Sequence, residues 1–380
     1  ILIADWFPSL NKGELAILFG TLKTFEVLGK VEVSIFSFLP QQDKERYPQN
    51  VKIIDVGSDL YLGSSLPEKP SLVATLAWLF SMLQHIVFSM LYTVMGDNAT
   101  RIMNKMIWKE YCRSDVIIIC HDGVNCVYGP RVLRFLPLYI IMLAKTLGKP
   151  VVIYANGLSQ FKSSIAIEKL WKILARYVLN NVDLTTVRDE ESFKYLKDIS
   201  GKARIYLTAD PAFLLSPVNY SRVRCIMLEE SIDKSDGLLV GITLTHEILL
   251  SAYRELRNPE ERYKKAIAHI ARLVDHLINS LHGTVVFLPH SIEPYKQRDD
   301  TGVAREIYNL TVNKNKVVVI TKEYSPEELK GLMGVFDLFI GGRVHSVINA
   351  LAMGVPSITL ARSSDNRAYS IIGKMLKQEE

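Results

Sequence analysis

Short β-branched runs alternate with helix-period segments along the whole chain, the pattern of parallel sheets covered by helices on both faces. The first series of predicted strands reads ILIAD (1–5), VEVSIFSF (31–38), VKIIDV (51–56), DVIIIC (115–120), VVIYA (151–155), DLTTVR (183–188) and RIYLTAD (204–210). A polar, charge-mixed stretch from Ser216 to Asp236 then breaks the alternation. A second series follows with LLVGITL (238–244), TVVFLPH (284–290), KVVVIT (316–321), DLFIGG (337–342) and PSITLA (356–361). The fold class expected is therefore α/β, with two facing, doubly wound Rossmann-like domains over residues 1–215 and 216–362. A helical segment at 363–380 is expected to return to the first domain. Ligands of such folds bind at the carboxyl ends of the strands.

One segment departs from this pattern. Leu72 to Met95 holds 24 residues without a formal charge, long enough to span a bilayer. A span would put strands of one sheet on opposite sides of a membrane, which the alternation forbids. The expectation is an apolar helical insertion at about 71–96, with a span the least favoured reading and two others ahead of it. It either lies on a membrane surface or packs in a core or an oligomer interface.

Composition narrows the picture further. With 380 residues, 48% of them hydrophobic, the chain can bury two cores, since one core seldom grows past roughly 250 residues. A net charge of +5 suits anionic substrates or an anionic membrane surface and is too small to argue for nucleic acid. The four cysteines form no CxxC pair and no Cys/His cluster with zinc spacing. No metal site is expected, although a divalent ion loosely held with a phosphate remains compatible. No secretory signal is visible, so a cytoplasmic location is expected, with peripheral contact on the cytoplasmic face of the membrane if 72–95 is the contact.

The chemistry concentrates at strand ends. After the first strand, Asn11, Lys12 and Gly13 precede a helix whose open N–H groups are suited to an anion or a sugar hydroxyl; a plain Asn-capped turn fits equally. In CHDGVNCVYG (120–129), Asp122 and Gly123 either recognise a hydroxyl or make a tight turn. Arg188, closing DLTTVR, is placed to grip a carboxylate or phosphate; the alternative is a surface pair with Asp189 or Glu191. Asp210 in TADPAF is expected to set the geometry between domains.

In the second half, His290 leaves a strand either as a ligand-binding residue or as a structural hydrogen-bonding one, and Asp299 or Asp300 is expected to cap the next helix. Then comes GGRVHSVINALAMGVPSI (341–358): a strand, a double glycine, Arg343 and His345 at the mouth, and Ser346 opening a helix. This arrangement makes an anion site, with Arg343 as fixed charge and His345 as a group able to exchange a proton.

The ordered series NKGELA, VRDEES, TADPAF, LPH followed by DD, and GGRVHSVINALAMGVPSI resembles the polysaccharide pyruvyl transferase family over roughly residues 5–360. The resemblance implies a GT-B-like fold. It also implies transfer of a carboxyethylidene group from phosphoenolpyruvate to two hydroxyls of a sugar, in a glycan or a lipid-linked oligosaccharide, with phosphate released and no cofactor beyond that donor. On this resemblance Arg188 and Arg343 hold phosphoenolpyruvate and His345 donates the proton, the three being expected to line one cleft; Asn11, Gly13, Asp122, His290 and Ser346 are further substrate-binding candidates on the strand-end chemistry given above. Asp122 and His290 are equal candidates for the base. Where family members often carry a lysine after the last strand, this chain offers Arg362, Arg367 and Lys374 instead. Two other classes fit the residues: a nucleotide-sugar GT-B glycosyltransferase, and a non-catalytic glycan-binding or assembly protein.

Overall fold

The computed structural model describes residues 1–56, 72–103, 105–120, 135–157, 165–234, 237–295, 298–362, 365 and 367–377. Asp122 and Gly123 lie outside them. All twelve predicted strands form, in two parallel sheets of seven and five strands.

The first sheet comprises β1 (Leu2–Ile3), β2 (Val33–Ser37), β3 (Val51–Asp55), β4 (Ile117–Ile119), β5 (Val151–Asn156), β6 (Leu184–Val187) and β7 (Ile205–Leu207). Its order is β3-β2-β1-β4-β5-β6-β7, so the winding direction reverses between β1 and β4. Among the helices, α1 (Lys12–Phe25) follows β1, α2 (Pro40–Lys44) follows β2, and α3 (Leu72–Met95), α4 (Ala99–Ile102) and α5 (Met106–Arg113) lie between β3 and β4. The next are α6 (Leu136–Thr146), α7 (Ile165–Asn181) and α8 (Glu190–Ile199). Side chains of α3 and α5 to α8 join the strands in one core, in which Phe88 stacks on Trp108 with ring centroids 4.5 Å apart.

The second sheet comprises β8 (Leu239–Thr243), β9 (Thr284–Phe287), β10 (Val317–Val319), β11 (Leu338–Gly341) and β12 (Ser357–Thr359), in the order β10-β9-β8-β11-β12. Its helices are α9 (Tyr220–Glu229), α10 (His246–Ser251), α11 (Pro259–Leu281), α12 (Asp300–Leu310), α13 (Pro326–Met333) and α14 (Val344–Ala352). Strand alternation sends Leu239 and Val286 to one face with α9, α13 and α14, and Val240 and Val285 to the other with α10, α11 and α12. Helix starts are set by local chemistry: Ser325 and Glu328 close a capping box before Pro326, and Asn258 caps α11.

The chain divides into two compact units, unit 1 from Ile1–Phe7, Phe25–Asp210 and Lys374–Gln378, and unit 2 chiefly from Pro8–Thr24 and Pro211–Gly373. The expected first domain, 1–215, is thus corrected in two places. The break falls after Asp210, and nearly all of α1 belongs with the second sheet. The reason is bonding: the Lys12 N–H donates to the His290 carbonyl at 2.8 Å, and the Ile292 N–H to the Leu10 carbonyl at 3.1 Å. Gly20 also passes so close to Pro211 that a Cβ there would meet its carbonyl oxygen at 1.8 Å. Near the end of the chain, Lys374 pairs with Glu191 of α8 at 2.7 Å.

The apolar segment 72–95 forms one helix, α3, whose His85, Phe88 and Ser89 are buried. Among the described residues no helix is long and apolar enough to cross a membrane. The single sheet holding both β3 and β4 excludes a span at α3 on its own.

Candidate active site

In unit 2 the chain turns from one winding direction to the other between β8 and β11, and the predicted motif lies there. Gly342 N–H donates to Thr243 O, 2.6 Å away at the end of β8. The bare glycines let this turn pack closely: a Cβ on Gly341 would meet Val347 at 2.2 Å, and one on Gly342 would meet Ile248 at 2.8 Å. The close turn delivers Arg343, the N-cap of α14, and His345 in its first turn to the carboxyl end of the sheet.

Arg343 is held by a carboxylate. Its Nε and one terminal nitrogen donate to Asp300 at 2.7 and 2.8 Å, a two-pronged pair that fixes the guanidinium plane. Asp300 is almost wholly buried, and its Oδ2 also accepts the backbone N–H groups of His290 and Ser291 at 3.0 and 2.9 Å. One carboxylate thus joins the loop after β9 to the turn after β11. The expectation that either aspartate caps the helix resolves between them: Asp299 is the cap, accepting from the Thr301 N–H at 2.9 Å, and Asp300 serves Arg343.

His345 is buried against α1. A Cβ on Gly13 would lie 2.8 Å from His345 Cβ and 3.0 Å from Nδ1, so the imidazole needs the bare glycine. The expected opening at the start of α1 is not there. Asn11 Oδ1 accepts the N–H groups of Gly13 and Glu14 at 3.1 and 3.4 Å, and that of Lys12 is taken by His290 O. Asn11 is a cap, and Gly13 is a spacer for His345. Lys12, which the sequence reading passed over as a site residue, comes in with them: its ammonium pairs with Glu323 at 2.5 Å and is 3% exposed.

His290 is fully buried, and neither ring nitrogen has a hydrogen-bond partner among the described residues. Burial, with Arg343, His345 and Lys12 close by, pushes its pKa down to about 3. It is a neutral imidazole among cationic groups. A general base works best with a pKa near the working pH, so a pKa held this low suits a neutral hydrogen-bonding role more than that of the base. Ser346 is also buried; its hydroxyl donates to Arg343 O at 2.7 Å, which occupies it in the first turn of α14.

The structure therefore gathers Lys12, Gly13, His290, Asp300, Arg343 and His345 within unit 2. Arg188 belongs to unit 1 and is not on its surface. It pairs with Asp210 at 2.9 Å with both side chains buried, not with Asp189 or Glu191. Asp189 instead caps α8, accepting the Ser192 N–H at 2.8 Å. Gly157 makes room for the guanidinium, because a Cβ there would lie 2.4 Å from Nε of Arg188. The three strand ends after β5, β6 and β7 are locked through this buried pair. The three cations considered in place of the family lysine are each paired: Arg362 with Glu247, Arg367 with Asp365 and Lys374 with Glu191. Among the described residues no group of His, Cys, Asp and Glu could hold a metal ion.

Two parallel doubly wound units, with a basic constellation at a strand end where the winding reverses, define a two-domain α/β protein of the GT-B-like class. The profile of the polysaccharide pyruvyl transferases matches residues 11–364, and the chain belongs to that family. It is an enzyme family whose name implies a glycan acceptor. No curated protein sequence matches the chain. Among solved structures, UDP-GlcNAc 2-epimerase from Methanocaldococcus jannaschii is similar over 97% of this chain and 85% of that one, with TM-score 0.57 and 15% identity. A candidate UDP-N-acetylglucosamine 2-epimerase from Listeria monocytogenes is similar over 94% and 78%, with TM-score 0.50 and 11% identity. At such identities the likeness concerns the fold alone.

Proposed function

We propose that this enzyme transfers the carboxyethylidene group of phosphoenolpyruvate to two hydroxyls of one sugar, forming a cyclic ketal and releasing phosphate. The observation that carries the proposal is the Asp300-anchored Arg343 beside His345, at the strand end of a pyruvyl transferase family member. A fixed guanidinium suits the donor's phosphate or carboxylate, and an adjacent imidazole suits proton delivery.

In this reading His345 protonates the methylene carbon of the enol, which makes the neighbouring carbon electrophilic. One sugar hydroxyl oxygen bonds to that carbon. The carbon–oxygen bond to phosphate then breaks, with the electron pair leaving on phosphate, and the second hydroxyl oxygen closes the ketal. Of the two hydroxyl protons, one replaces the proton spent by His345 and the other leaves with phosphate. Arg343 holds the anionic donor in line with His345. Arg188 stays in the proposal on its family motif alone, and Asp122 stays a candidate base on the same footing. The acceptor is a glycan or a lipid-linked oligosaccharide, the enzyme working in the cytoplasm.

The test is phosphate release from phosphoenolpyruvate over a panel of glycan acceptors, with mass analysis for the carboxyethylidene increment. Release that disappears in His345→Ala supports the reading; turnover of a nucleotide sugar, with phosphoenolpyruvate untouched, refutes it.

A further inference from the structure

Unit 1 carries an apolar surface that the site does not use. On α3, Leu76, Phe80, Leu83, Val87, Met90 and Val94 are 42–84% exposed. Their spacing of four, three, four, three and four residues draws a stripe along the helix, which Ile86 and Met95, also exposed, widen. On the protein side, His85, Phe88 and Ser89 fasten the helix to the unit.

Helices of the same unit next to α3 also expose apolar side chains. α6 packs on both α3 and α7; it exposes Met142, while α7 exposes Leu170, Ile173 and Tyr177. Apolar side chains exposed on three neighbouring helices suit an extended apolar partner such as a membrane boundary. Charge points the same way. Residues 72–181 contain 12 Lys and Arg against 5 Asp and Glu, a net +7, whereas the whole chain carries +5. All of the chain's excess positive charge therefore lies in the segment that bears the apolar surface. Arg101, Lys109 and Lys169 are exposed within it.

We propose that this face of unit 1 docks on an anionic phospholipid membrane, with the α3 and α7 side chains entering the boundary between headgroups and acyl chains and the basic residues meeting lipid phosphates. The helix lies in the plane of the surface and does not cross it, because β1–β3 before it and β4–β7 after it belong to one sheet. Docking stands independently of the donor chemistry.

Flotation of the whole chain with vesicles tests it, using phosphatidylcholine alone and phosphatidylcholine with phosphatidylglycerol. The protein is expected to float with the anionic vesicles, and about tenfold less in Leu83→Glu/Met90→Glu or in Arg101→Glu/Lys169→Glu. Circular dichroism melting of each variant keeps the comparison among folded proteins; both pairs are exposed, so melting temperatures should stay close to that of the parent. Flotation unchanged in folded variants overturns the proposal. So does a dimer by light scattering that Leu83→Glu/Met90→Glu splits while the parent fails to float, which would assign the face to a second copy.

Discussion

The imidazole of His345 rests on the bare backbone of Gly13, close enough that a Cβ there would stand 2.8 Å from His345 Cβ. The first helix of the chain thus sets the position of the proposed proton donor near its far end. In Gly13→Ala either the ring or the helix must shift. Because a displacement of about 1 Å can cost on the order of 100-fold in rate, kcat for phosphate release should fall by that order. Thermal unfolding should move only slightly, and an unchanged kcat would remove the proposed role of His345.

Arg343 depends on shape as well as charge. Asp300 accepts two parallel bonds from it, and lysine cannot reproduce that fork. Arg343→Lys should keep the fold yet raise KM for phosphoenolpyruvate or lower kcat/KM by about tenfold or more. Asp300→Ala should do both, destabilising the protein by about 3 kcal/mol by leaving the guanidinium and two backbone N–H groups without their acceptor. Steady-state kinetics and urea unfolding check the two variants together.

The pair Arg188–Asp210 makes a sharper stability prediction, since both side chains are buried. Arg188→Met removes the buried cation that Asp210 pairs with and should cost about 3–5 kcal/mol in urea unfolding. The double variant Arg188→Met/Asp210→Leu should recover most of that loss. A single variant as stable as the parent would contradict the buried pair.

Acid should weaken the fold through two histidines. Burial, with Lys105 nearby, pushes His85 down to about 3, and burial among cations does the same for His290. Unfolded, each titrates near its ordinary value of about 6.5. Between roughly pH 6.5 and 3 the unfolded chain therefore binds protons that the folded chain refuses, so stability falls as pH drops through that window, by up to about 1.4 kcal/mol per pH unit per histidine. Urea midpoints at pH 7 and pH 5 measure the slope, and His85→Phe should flatten it; an equal slope in that variant would clear His85 of the effect.

The strands were legible in the sequence because fully buried parallel strands read as continuous β-branched runs, and the motif at 341–346 was legible because a double glycine before Arg and His marks a strand-end turn. Other features depend on contacts that local pattern does not carry. In the Asp299–Asp300 pair, adjacent residues of one type divide between capping and anchoring Arg343, and only the turn after β11 decides which does which. Arg188 has acidic neighbours in sequence, yet Asp189 is spent on the α8 cap and the partner is Asp210, one strand further on. The assignment of α1 to unit 2 follows from its bonding to the loop after β9, and with it came Lys12, whose lone charge beside Asn11 gave no signal of its own.

The central claim is that His345 delivers a proton to phosphoenolpyruvate in a transfer to a glycan. Its most direct measurement is acceptor-dependent phosphate release from phosphoenolpyruvate in deuterated water, with mass analysis of the glycan for deuterium in the new methyl group. The account predicts one solvent deuterium in that methyl group with the parent enzyme, and loss of both release and labelled product in His345→Ala. Undiminished release and labelling in His345→Ala, or a product lacking the carboxyethylidene group, would contradict it.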